Sequence, residues 1–229
     1  MLKISNKKII DVVHYDNNKF IIVEKHPIVN SLNQFKAKYF VINFDSGQKE
    51  VITKSAYLMV KFGSAYKEIS STIADFIQCD AAVLPNRNIL VVYPNSQTGL
   101  FSHDGKIKWT GELKYNDSIV AGLALDGDYF WSYCKEENCV IRYICDNLKV
   151  DLRIGSKQAM TFVNPHSISE DDSYIYVCCD AMRVRKISKK DFTVSDVDET
   201  FINLERFYKF GEYSIVCCSD GAYLTKDSK

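Results

Sequence analysis

Four polar residues of this 229-residue chain have the types and spacing to meet at one ligand: Asp11, Asp80, His166 and Glu205. Imidazole and carboxylate side chains bind zinc or transfer protons, and a zinc site wants about three of them converging. Each of the four falls eight or nine residues ahead of a short aromatic and β-branched run, the runs beginning at Phe20, Ile89, Tyr174 and Tyr213. His166 and Glu205 therefore share one register, and Asp11 and Asp80 the next. Neighbouring registers on a strand point to opposite faces, which opposes convergence of all four. The plain reading of His166 is a structural imidazole hydrogen-bonded to an adjacent unit. No metal and no cofactor is expected, and the four stand as a polar lining for a ligand.

Other reactive residues add little. His14, His26 and His103 occupy three different places relative to the runs, so symmetry makes no histidine cluster. There is no Gly-x-Ser-x-Gly elbow for nucleophilic catalysis and no Gly-rich loop feeding a helix to hold phosphate. The cysteines sit within apolar runs, as in Val177-Cys178-Cys179 and Val216-Cys217-Cys218, where a reduced thiol behaves as a small hydrophobe. On a strand the two members of each pair face opposite ways. Arg183 and Arg185 alternate with Val184 and Ile187, the pattern of a half-exposed strand rather than an anion patch.

The elements that position these residues repeat. Ser173-Tyr-Ile-Tyr-Val-Cys-Cys-Asp180 and Glu212-Tyr-Ser-Ile-Val-Cys-Cys-Ser-Asp220 are related, and looser copies start at Phe20, Ile89 and Tyr129. The intervals between run starts at 20, 89, 129, 174 and 213 are 69, 40, 45 and 39 residues. Ahead of each run lies a small-residue strand, as in Val120-Ala-Gly-Leu-Ala-Leu-Asp126. Behind it come an alternating strand, as in Cys139-Val-Ile-Arg-Tyr-Ile144, and a polar one, as in Leu148-Lys-Val-Asp-Leu-Arg-Ile154. Four strands in about 40 residues make one β-propeller blade. The expected fold is all-β: a small single-domain β-propeller over residues 1–229, with five four-stranded blades.

The last unit ends after its third strand, Gly221-Ala-Tyr-Leu-Thr-Lys226, and Leu2 to Ile4 precede the first unit. The N-terminal strand is therefore expected to complete the last blade. The long first interval has two readings. In the first, a loop near His26 to Gln34 and an irregular or helical excursion around Ala65 to Phe76 leave five blades. In the alternative, Ala56-Tyr-Leu-Met-Val-Lys61 is a strand of a degenerate sixth blade.

The stretch Pro165-His-Ser-Ile-Ser-Glu-Asp-Asp-Ser-Tyr-Ile-Tyr-Val-Cys-Cys-Asp180, followed by Met182-Arg-Val-Arg-Lys-Ile187, resembles an NHL-type propeller repeat. Gly99-Leu-Phe-Ser-His-Asp-Gly-Lys-Ile-Lys-Trp109 is similar to a quinoprotein-type repeat. The resemblance implies architecture more than function. Some NHL-like and related propellers are metal-dependent lyases or lactonases, which leaves a small-ligand or metal-dependent enzyme or sensor, sited at the channel mouth, as the alternative function.

Composition narrows the partners. With 29 basic and 29 acidic residues the chain lacks the basic footprint of a general nucleic-acid binder. Apolar runs of six or seven residues fall far short of the roughly 20 a membrane span needs, and Met1 to Lys8 carries no signal-peptide pattern. A cytoplasmic monomer is expected, most simply a non-catalytic module that binds a protein or peptide through its loops. Tyr66, Tyr115 and Phe201 lie just ahead of inner strands and are the expected aromatic contacts on one loop face; the competing reading packs each onto its neighbouring blade.

Overall fold

Five antiparallel four-stranded sheets stand as blades around a central channel in the computed structural model, which describes residues 1–28, 35–63, 80–93, 95–180, 182–198 and 200–227. The chain opens with β1 (Leu2–Ser5). Blade one then follows from inside outward as β2 (Ile9–Asp16), β3 (Lys19–Pro27), β4 (Phe35–Asn43) and β5 (Lys49–Ile52). Helix α1 (Lys54–Phe62) precedes blade two, β6 (Asp80–Val83), β7 (Ile89–Val92), β8 (Gln97–Phe101) and β9 (Ile107–Glu112). A two-stranded hairpin, β10 (Lys114–Tyr115) and β11 (Ser118–Ile119), leads into blade three, β12 (Ala121–Asp126), β13 (Tyr129–Cys134), β14 (Cys139–Ile144) and β15 (Val150–Gly155). Blade four is β16 (Ser167–Glu170), β17 (Tyr174–Cys179), β18 (Arg183–Ser188) and β19 (Val194–Asp196). Blade five is β20 (Leu204–Phe210), β21 (Tyr213–Cys218), β22 (Gly221–Lys226) and, outermost, β1.

The second strand of each blade is the aromatic and β-branched run, buried along nearly its whole length in β7 and β21. Both faces of such a strand meet neighbouring blades, so it reads as continuously apolar rather than alternating. The outer strands β9 and β15 are largely exposed and carry charge, which blunts their free edges. Burial is concentrated in seams between consecutive blades. Ile21, Val41, Ile89 and Val91 meet between blades one and two, and Val177, Ile187, Trp131 and Val140 between three and four. Paired cysteines divide between seams as strand alternation requires: Cys179 packs toward blade three and Cys178 toward blade five. All seven cysteines among the described residues are buried free thiols.

Closure follows the expected route. β1 pairs antiparallel with β22, setting Leu2 opposite Leu224, Lys3 opposite Tyr223 and Ser5 opposite Ala222. Gly221 makes the approach possible: at φ 139° a Cβ there would lie 2.0 Å from the Ser5 carbonyl oxygen.

Of the two readings of the long first interval, the five-bladed one stands, while the sixth blade and the start of the loop at His26 are corrected. Ala56 to Lys61 form no strand of a sixth blade but lie in α1, where Thr53 accepts a hydrogen bond from Ala56 N and Gly63 donates its N–H to Met59 O. These caps satisfy end groups that a strand would pair elsewhere, and the helix buries Tyr57, Leu58 and Phe62 against blades one and two. His26 does not begin a loop, because β3 and β4 pair out to Pro27 opposite Phe35. The excursion expected at 65–76 lies outside the described residues.

Candidate functional site

The inner strands β2, β6, β12, β16 and β20 enclose a channel of about 260 Å³. Their N-terminal ends define an upper face and their C-terminal ends a lower one. Asp11 and Asp80, which share one register, both line the channel, and each meets a cation the sequence did not point to. Lys61, from α1, places Nζ 2.5 Å from Asp11 Oδ2, and the Tyr57 hydroxyl donates to the same oxygen at 2.6 Å. Arg206, from β20, donates through Nη1 to Asp80 Oδ1 at 3.1 Å and to the Tyr208 hydroxyl at 3.3 Å.

These pairs set the electrostatics. Asp80 raises the Arg206 guanidinium above its ordinary value, with Tyr208 adding to the effect. Burial pushes the Tyr57 and Tyr208 hydroxyls well above the usual phenol range, so both stay protonated at neutral pH. A carboxylate already matched by a cation at hydrogen-bond distance is a poor start for a metal site, and no group of three His, Cys, Asp or Glu among the described residues is arranged to hold a metal.

His166 and Glu205 do not join the lining. The His166 ring spans two backbone carbonyls, with Nε2 at 3.2 Å from Leu204 O of blade five and Nδ1 at 3.4 Å from Asn164 O, which is the structural role set beside the ligand role. Glu205 turns toward Lys8, 3.0 Å away. A β-bulge causes this: β20 pairs Leu204 with Cys218 but Arg206 with Cys217, so Glu205 is the extra residue and Arg206 takes the inward register.

Of the loop aromatics, Tyr66 lies outside the described residues. Tyr115 is half-buried in the β10–β11 hairpin, packed on the seam between blades two and three with the Arg153 guanidinium 5.9 Å from its ring. Phe201 is buried with its ring 6.1 Å from Phe207, yet it also forms the floor of a cleft between blades four and five. That cleft, about 500 Å³, is walled by Ile202, Val216, Cys218 and Tyr223. Ile202, 74% exposed, stands at its rim.

No protein-family model and no curated protein matches the chain. Among solved structures it is similar to the WD40 β-propeller domain of Doa1, at 13% identity over 97% of this chain and 93% of that one, with a TM-score of 0.57. It is also similar to U3-55K, at 10% identity over 96% of this chain and 61% of that chain, with a TM-score of 0.51. At these identities the likeness is one of fold, and the chain is a five-bladed β-propeller.

Proposed function

We propose that this propeller is a non-catalytic protein- or peptide-binding module and that its docking surface is the cleft between blades four and five. One observation carries the reading: an apolar cleft of about 500 Å³ floored by Phe201 and rimmed by Ile202, whose side chain is 74% exposed. Met182, 45% exposed, extends apolar surface from the adjoining β17–β18 turn. Isolated exposed apolar residues are ordinary, whereas a concave group of them suits an anchoring side chain from a partner. The buried thiols and the paired channel carboxylates give this reading preference over catalysis. The NHL-type resemblance, strongest over blade four, bears on how that blade is built.

The test is selection of peptides from a random display library against the purified chain. Selected peptides should carry a large aliphatic or aromatic anchor. They should lose at least tenfold in affinity for Ile202→Asp and keep it for Val51→Asp, a charge placed on an equally exposed residue of β5. Equal binding to both variants would place the docking surface elsewhere.

A further inference from the structure

The channel holds polar capacity that the protein's own contacts leave unused. Both hydrogen bonds that Arg206 makes among the described residues leave from Nη1. A guanidinium offers five N–H groups in a planar fork suited to a carboxylate, so its Nε and Nη2 edge is left over. A second unused donor comes from blade three. The Tyr133 hydroxyl has no hydrogen bond among the described residues, and it lies within electrostatic reach of Asp80 and Arg206. Its ring comes from the second strand of blade three, and Gly122 of β12 makes the space for it: a Cβ there would stand 2.5 Å from the Tyr133 ring. Burial, with Asp80 adding, pushes this hydroxyl up to about 12, so at neutral pH it is a donor.

The charge count selects the kind of guest. Asp11, Asp80 and Glu170 line the channel against Lys61 and Arg206. Glu170 is shared with Lys189, which also holds Asp126 at 3.1 Å, so the lower mouth is not left with spare positive charge. A bare anion would meet more negative than positive lining, and a bare cation would leave the Arg206 edge and the Tyr133 donor unmet. A small molecule carrying both charges satisfies both. The volume, about 260 Å³, corresponds to roughly nine waters at ~30 Å³ each, the scale of a single small metabolite. Val12, Ala81, Leu123 and Ile168 supply apolar wall for a short side chain.

We propose that the central channel binds a free amino acid, its carboxylate on the open edge of Arg206 and the Tyr133 hydroxyl and its ammonium on the channel carboxylates. This site is separate from the cleft between blades four and five, so either can fail without the other.

The experiment is titration calorimetry with the L-amino acids, with acetate and methylammonium as the two half-ligands. At least one amino acid should bind, and at equal concentration neither half-ligand should. Tyr133→Phe should weaken binding about tenfold or more, the loss expected for one hydrogen bond to a charged group, while Arg206→Lys, which keeps the charge and loses the fork, should weaken it further. Val51→Asp should bind the amino acid as the parent does. Should Arg206→Lys fail to fold, Tyr133→Phe carries the test. The proposal is overturned if no amino acid binds, if acetate or methylammonium binds as tightly as the amino acid, or if Tyr133→Phe binds as tightly as the parent.

Discussion

Arg206 of blade five reaches Asp80 of blade two across the channel, Nη1 to Oδ1 at 3.1 Å, and so ties together two blades that are not neighbours in the ring. Each side chain keeps about a third of its surface exposed, 32% and 31%, so solvent reaches the pair and its worth falls between that of surface and buried bridges. Arg206→Met should cost about 1–3 kcal/mol by leaving Asp80 unmatched. Adding Asp80→Asn should return part of that loss, because the orphaned charge goes with it. Urea unfolding of the two single variants and the double variant checks this; strictly additive losses would show that the pair is not coupled.

Ring closure gives a second prediction. Gly221→Ala sets a Cβ 2.0 Å from the Ser5 carbonyl oxygen, a backbone atom that moves only if β1 moves. Gly211→Ala also falls at positive φ, but at 58°, inside the left-handed well that a side chain can adopt and unlike the 139° of Gly221, with nothing within 4 Å of the new atom. The second change should cost about 1 kcal/mol, the usual strain of a side chain in that region. Gly221→Ala should cost at least twice as much and should raise hydrogen exchange along β1 and β22. Equal costs at the two positions would mean that the closing strand contributes little to stability.

Glu24 ties the same closure to pH. Burial pushes its carboxyl up, but hydrogen bonds from Lys49, from Ser5 of β1 at 2.6 Å and from His26 outweigh this, so the net shift is downward from 4.5. A carboxyl lowered in the folded state contributes stability that is complete above its unfolded value and is lost as pH falls through the folded one. Stability should therefore fall as pH drops below about 4.5. Glu24→Gln should be less stable at pH 7, by about 2 kcal/mol, and should show a shallower acid limb. A variant with the parent's acid limb would place the pH sensitivity on other groups.

How legible the molecule is from its sequence depends on whether side chains or backbone decide the feature. Strands such as Tyr174–Cys179 and Tyr213–Cys218 announce themselves because each must be apolar on both faces to sit between blades. The closing strand is legible through what the last unit lacks. Residues 56–61 mislead because an apolar run suits a buried strand or a buried helix equally; the caps at Thr53 and Gly63 decide, and those lie outside the run. In the channel, register counting groups Asp11 with Asp80 but does not say which register faces inward, and a bulge that leaves Glu205 unpaired in β20 hides Arg206 as the inward residue. Bulges depend on backbone pairing and leave no mark in side-chain alternation. Lys61 was hidden for the same reason as its helix.

Cys134 and Cys139 face each other at the end of the β13–β14 hairpin, and their thiols diverge in acidity. A hydrogen bond from the Cys139 thiol, helped by backbone N–H groups at Glu136 and Glu137 against the effect of burial, lowers the Cys134 thiol, while the same contact and burial push Cys139 up. Burial, with the Asp128 carboxylate adding, raises Cys145 to about 11 and, as the leading effect, raises Cys179 to about 12. Thiolate is the reactive form, so burial and thiolate fraction compete at Cys134, which like Cys139 has no exposed surface. The exposed turn residues Lys135 and Glu136 follow it directly in the chain, so local opening of this hairpin end should uncover Cys134 without unfolding the blade. Cys134 should therefore be the first of the seven described cysteines to react with iodoacetamide in the folded protein at pH 7.5, followed by peptide mass spectrometry. Earlier labelling of Cys145 or Cys179 would show that access, and not acidity, sets the order.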